Sequence, residues 1–270
     1  MSIGYHLLVW SAIGAWGLAR RRHRAGVVGE AAARRLARLE GGWRAALVFA
    51  AAGTAVTLEL TLEPWLREAL PWDLTAAVVA VEGHAVVAFQ EALRSDWLDW
   101  VSIAIYLPGA SLLYHVPFLH LLWTGRHHAA RRLAATVALL WGVAILFYLL
   151  APVREAWTEG AAGVLKERLP AEFASSSLLL NNVDNNFPSL HVAVSVGIVL
   201  ALALAGERRA ALLWAPLAAG VVFTTIYLGI HWWLDVVAGL ALAAAGALLV
   251  HRQAHTLDRS MGGPVSPRGR

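Results

Sequence analysis

Two histidines and an aspartate are the residues of this chain best suited to chemistry, and they sit in two short polar stretches within apolar sequence. In 182-NVDNNFPSLHVAVS-195, His191 follows a polar cluster and a Pro-Ser pair at the start of an apolar run. In 224-TTIYLGIHWWLDVVAG-239, His231 and Asp235 are four residues apart and share one helix face. An aspartate inside an apolar run is costly unless it has a partner. Its carboxylate can hold one imidazole nitrogen and leave the other toward a substrate, the base–orienter arrangement of covalent catalysis. Ahead of His191, Asn181, Asn182, Asp184, Asn185 and Asn186 offer helix caps, with Asn186 or a neighbour as N-cap and Pro188 in the first turn. Capping explains the asparagines and the proline; it does not explain His191. Ser189 and the N–H groups of that turn form an anion-binding helix end. Arg154, in 148-YLLAPVREAW-157, suits phosphate oxygens, with Lys166 and Arg168 weaker candidates in the same loop.

The elements that carry these residues read as membrane helices. Of 270 residues, 59% are hydrophobic and only 15% charged, and the mean hydropathy is +0.59. Such a chain is expected to be all-α, a polytopic bundle with seven spans near 3–19, 44–62, 97–123, 131–151, 188–205, 210–229 and 231–250. The first of these reads as a retained span and not a removed signal peptide. Basic residues cluster in 20-RRRHR-24 and 34-RRLAR-38, in 126-RHHAARR-132, in 206-GERR-209 and in the tail. All four groups fall on one side of a seven-span chain, which predicts an N-terminus outside, a C-terminus in the cytoplasm and both histidines at the outer face. The expected divisions are 1–72, two spans with a basic loop containing a short helix at 25–43; 73–96, an amphipathic interfacial helix, with a re-entrant or irregular extra span as the alternative for 73–92; 97–250, the chemistry-bearing membrane domain; and 251–270, a flexible tail. The chain has no cysteine, so disulfides, thiolate chemistry and cysteine-held zinc are excluded. The arginines are explained by topology, and no nucleic-acid module is visible.

These residues resemble the type 2 phosphatidic acid phosphatase superfamily of membrane lipid phosphatases and phosphotransferases. Its Pro-Ser-x-His motif is similar to 188-PSLH-191, and its third motif is similar to Thr225, His231 and Asp235, with Tyr227, Gly229 and Gly239 at familiar places. The first motif is matched loosely by Pro152 and Arg154. The likeness covers roughly residues 97–250, and a six-helix core is compatible with it. Two threonines, Thr224 and Thr225, stand where the family usually has Ser-Arg, and the first-motif lysine has no clear counterpart. The threonine and the Pro-Ser-Leu-His-Val-Ala wording resemble the branch containing inositol phosphorylceramide synthase.

The resemblance implies that His231 attacks phosphorus, that Asp235 fixes its tautomer, and that His191 protonates the leaving oxygen and then activates water or an alcohol. Arg154, Ser189, Thr225, Lys166 and Arg168 would hold the phosphoryl group. No cofactor or metal is implied. The expected partners are a lipid phosphate or diphosphate, of phosphatidate or polyprenyl type, and surrounding membrane lipids. An alcohol acceptor such as inositol and a homo-oligomer stay open, and the expected location is the plasma membrane with an extracytoplasmic site. Taken alone, the residues do not say which histidine attacks. They also leave open a zinc-dependent hydrolase and a transporter or structural membrane protein whose His231–Asp235 pair lies in a proton or solute pathway.

Overall fold

The computed structural model describes residues 42–69, 72–170 and 184–260. The described chain is all-α. Its helices are α1 (Trp43–Ala69), α2 (Thr75–Glu82), α3 (Ala85–Leu93), α4 (Asp96–Ala104), α5 (Ala110–Trp123), α6 (His127–Leu150), α7 (Val164–Arg168), α8 (Leu190–Leu204), α9 (Arg208–Tyr227) and α10 (Trp233–Ser260). A π-helical turn, Ile105–Gly109, joins α4 to α5 without a break, and a 3₁₀ turn covers Ala156–Glu159.

Among the described residues, five stretches are long and apolar enough to cross a membrane: Trp43–Glu63, Asp96–Trp123, His127–Leu150, Arg208–Tyr227 and Trp233–Ala254. The bent pair α2–α3 makes a sixth if it counts as one span. α8, with 15 residues, is about 22 Å long, shorter than the hydrocarbon core, and its first turn is buried beneath loops. The span expected at 3–19 and the short helix expected at 25–43 lie outside the described residues, apart from the last two positions. α10 continues as helix past residue 250 to Ser260, where a flexible tail was expected to begin.

Residues 73–92 differ from the single amphipathic helix read in the sequence. Gly83 breaks the segment at φ 56°, and the two halves meet at 62°. The reason lies in Glu82, whose carboxylate oxygens accept the N–H groups of Trp233 and Leu234 at 3.0 and 2.5 Å, capping α10 from another part of the chain. Gln90 of α3 is likewise buried, donating to the carbonyls of Ala162 and Tyr227 and accepting from the Ala162 amide. Two of the polar residues of this segment, Glu82 and Gln90, therefore bond to protein, while His84 and Glu91 are exposed.

The main core runs between α1, α5, α6, α8 and α9 through Leu113, Leu121, Leu133, Leu140, Val194 and Ile198, all essentially buried. In lipid such contacts stabilise by close packing more than by transfer from water. A second cluster, containing Val86, Val153, Ala156, Val192 and Trp232, lies beside the first turn of α8 and the turn ahead of α10, which carry the two histidines.

Candidate active site

Three loop segments stack at one end of the bundle. Residues 153–157 run between the segment ahead of α8 and the turn ahead of α10. On one side the Val153 amide donates to the Asp184 carbonyl at 3.0 Å, and Val153 forms a parallel bridge with Asn185. On the other, the Trp157 amide donates to Gly229 at 2.9 Å, and the Trp232 indole donates to the Arg154 carbonyl at 2.8 Å. α9 ends at Gly229, which has φ 74°; a Cβ there would lie 2.5 Å from the Ala162 carbonyl oxygen. Beyond it, the amides of Ile230 and His231 both donate to the Thr225 carbonyl, at 3.1 and 3.0 Å. This turn delivers His231 immediately ahead of α10.

Asp235, fully buried in the first turn of α10, gathers three donors on Oδ2. They are Asn186 Nδ2 at 2.9 Å, the Trp232 amide at 2.9 Å and Nδ1 of His231 at 3.4 Å. The carboxylate fixes the proton of His231 on Nδ1, because a carboxylate only accepts. Nε2 is then a lone pair, and it is buried with no hydrogen-bond partner among the described residues.

His191 stands in the first turn of α8, its ring centroid 5.8 Å from that of His231 and the planes at 60°. Two contacts hold the helices in this register. The Ser189 amide donates to the Asp235 carbonyl at 3.0 Å, and Gly239 of α10 lies so close that a Cβ would sit 2.6 Å from the Ser189 carbonyl oxygen. A group bound between the rings can lie within attack distance of one and hydrogen-bond distance of the other. Among the described residues no group of three or more His, Cys, Asp and Glu side chains is placed to hold a metal ion.

The sequence model of the PAP2 superfamily matches residues 151–259. An Escherichia coli (strain K12) protein described as "Putative undecaprenyl-diphosphatase YbjG" is 28% identical over 155 residues, 57% of this chain and 73% of that protein. The chain is distantly related to the PAP2 superfamily. No solved structure matches it. The region matched by the PAP2 model contains His191, His231, Asp235 and each of the five phosphate-binding candidates, whereas α1 to α6 lie outside it. Neither comparison singles out the inositol phosphorylceramide synthase branch.

The phosphate-binding candidates do not all converge. Arg154 lies beside the turn that carries His231 through its backbone, but its half-exposed guanidinium pairs with Asp73 at 2.9 Å and Glu159 at 3.0 Å. Burial would raise the Asp73 carboxyl; the bonds from Thr75 and the Arg154 charge outweigh it and hold it below the ordinary range. Ser189 is the N-cap of α8, its hydroxyl accepting from the Val192 amide at 3.3 Å. The cap is thus Ser189 and not Asn186, and Pro188 precedes it, because the Asn186 side chain is drawn to the Asp235 carboxylate and the Ile230 carbonyl. Thr225 spends its hydroxyl on the Val222 carbonyl within its own helix. Lys166 lies 4.7 Å over the Trp157 ring. Arg168 pairs with Asp96 and with buried Asp99, whose other oxygen accepts from Tyr227 at 2.6 Å, so it fastens α7 to α4.

Other residues near the site had no motif to announce them. Tyr106 of the π-helical turn contacts Nδ1 of His191, and Tyr114 donates to the His191 carbonyl at 3.4 Å. Arg67 of α1 donates to the Tyr148 carbonyl, and its Nε and Nη1 are buried with no partner among the described residues. Burial raises the Asp184 carboxyl, and the charges of Arg67 and Arg154 pull it back. Glu155 is buried beside the Trp157 indole, and burial pushes its carboxyl up to about 8. Arg67 lies far from every motif in sequence, and only a paired helix could bring it here.

Proposed function

We propose that this protein is an integral membrane lipid-phosphate phosphatase working through a phosphohistidine on His231. The observation that carries the reading is the state of His231: Nδ1 held by Asp235, Nε2 without a partner, and a second imidazole 5.8 Å away. In the first half-reaction Nε2 of His231 attacks phosphorus as the bond to the leaving oxygen breaks, and His191 gives that oxygen its proton. In the second, His191 takes a proton from water as the water oxygen attacks phosphorus and the P–N bond breaks. Asp235 stabilises the positive imidazole ring in between. The backbone at the start of α8 and the Arg154 side chain, released from Asp73 and Glu159, offer positive potential to the phosphoryl oxygens.

A polyprenyl diphosphate or phosphate heads the substrate classes, in keeping with the printed description of the E. coli relative; phosphatidate is the next. The clustering of basic residues in alternate loops supports a site on the extracytoplasmic face, and the plasma membrane is the proposed location. Transfer to an alcohol such as inositol uses the same two half-reactions with a different acceptor.

The deciding experiment incubates purified protein with polyprenyl diphosphate, polyprenyl phosphate or phosphatidate, with and without inositol. Free phosphate in every case supports the phosphatase, and a new phosphodiester marks a transferase. His231→Ala abolishes either activity; full turnover in that variant overturns the mechanism.

A further inference from the structure

A span that begins at Asp96 and ends at Trp123 is interrupted by one wide turn, Ile105–Gly109, with Pro108 inside it. Wide turns of this kind arise where an extra residue enters a helix, and each residue rotates the face by about 100°. Both flanks of this turn are fixed in register. On the N-terminal side, Asp99 accepts from Tyr227 and Arg168, and the Ser95 amide donates to the Tyr227 hydroxyl at 3.2 Å. On the C-terminal side, Leu113, Phe118 and Leu121 are locked in the main core. The wide turn takes up the mismatch between the two registers, and the residue it turns inward is Tyr106.

Tyr106 is buried, with its hydroxyl 3.3 Å from Nδ1 of His191 and its ring 4.6 Å from the imidazole, tilted at 37°. Resting on the reading of His191 as the proton carrier, we infer that Tyr106 is a positioning residue that fixes the tautomer and tilt of that imidazole. The reasoning is one of valence. To take a proton on Nε2, neutral His191 must carry its own proton on Nδ1; to give one, it carries protons on both nitrogens. In both working states Nδ1–H is a donor, and the Tyr106 oxygen accepts it. Without that acceptor the neutral ring can hold its proton on Nε2, where it has no lone pair for water. Asp235 does the same for His231 with a carboxylate. A neutral phenol suits His191 better, because a full negative charge would oppose release of the proton.

The test uses full-length protein in detergent and the pair polyprenyl phosphate and polyprenyl diphosphate of one chain length. The first leaves as an alkoxide that needs a proton; the second leaves as a phosphate ester that needs it far less. Tyr106→Phe keeps the ring and is expected to lower kcat about tenfold or more on the monophosphate, with KM little changed and a smaller loss on the diphosphate. Equal losses on the two substrates, or none, overturn the inference. A second readout does not depend on turnover. In ¹⁵N-histidine-labelled protein, His191 is expected as the Nδ1–H tautomer, and as a mixture in Tyr106→Phe; an unchanged tautomer overturns the inference. Placing 2,3-difluorotyrosine at position 106, of nearly the same size but a weaker acceptor, should give an intermediate loss, and a gain would mean that the hydroxyl donates. If His191→Ala keeps full turnover on the monophosphate, it is the parent reading of His191 that fails.

Discussion

Asn186 Nδ2 donates to Oδ2 of Asp235 at 2.9 Å, joining the loop ahead of α8 to the first turn of α10 across 49 residues of sequence. The same nitrogen donates to the Ile230 carbonyl, so one amide spans the turn that presents His231. Replacing it by alanine leaves a buried carboxylate short of a donor. Asn186→Ala is expected to lower kcat about 10- to 100-fold and to destabilise the fold by about 1–3 kcal/mol. Phosphate release and a denaturant melt measure the two effects separately.

Asp235→Asn tests the orienting role directly. An amide can present its N–H to Nδ1 and stabilise the wrong tautomer, so kcat should fall about a thousandfold or more while substrate binding persists. Rapid-quench phosphate release, with substrate binding followed by fluorescence, separates the two.

The two histidines should fail differently. With ³²P-labelled polyprenyl diphosphate, whose leaving group needs little help, His191→Ala is expected to accumulate acid-labile, alkali-stable label on the protein. His231→Ala is expected to take up none. Label on the second variant would assign the nucleophile elsewhere.

Glu155 gives a pH dependence of stability. Burial raises its carboxyl from 4.5 to about 8 in the folded protein. Between those values the unfolded chain has lost a proton that the folded chain keeps, so stability falls as pH rises through that window. Below it both states hold the proton and the contribution is constant. Glu155→Gln retains an oxygen for the Trp157 indole and is expected to flatten the melting temperature between pH 5 and 8 relative to wild type. Parallel curves for the two proteins would show that the carboxyl is ionised in the fold.

Arg168 answers a question of role. Tied to Asp96 and buried Asp99, it should matter for stability and not for substrate. Arg168→Ala is expected to melt several degrees lower with KM unchanged. A raised KM at a temperature where the variant is folded would return it to the phosphate site.

Much of the fold could be read from hydropathy, since lipid demands helices long enough to cross and closed in their hydrogen bonds. The segments at 97–123, 131–151, 188–205 and 210–229 are helices with ends within a few residues of those expected, and the helix expected at 44–62 runs on to Ala69. What hydropathy could not show was the destination of polar side chains. Glu82 and Gln90 lie in the segment read as an amphipathic interfacial helix, yet they bond the backbone of α10 and of the turn at Gly229. The spacing of His231 and Asp235 pointed to their contact, although His231 lies in the turn ahead of α10 and not on the helix face expected. Tyr106 was not legible, since its place depends on a register mismatch between two halves of one span, settled only when both halves find their neighbours. Positive charge was a poor guide within the long loop: Lys166 and Arg168 are cations of the right kind, held by an indole and by carboxylates.

The bond from the Ser189 amide to the Asp235 carbonyl, with Gly239 pressed on the Ser189 carbonyl, makes the starts of α8 and α10 one mechanical piece. Loops at the mouth can fray without changing the separation of the imidazoles, because local openings need not propagate into the helices. Heat inactivation should therefore be a late event. The last activity to disappear reports the melting of the bundle itself, which makes residual turnover a direct gauge of whether a detergent has preserved the membrane fold.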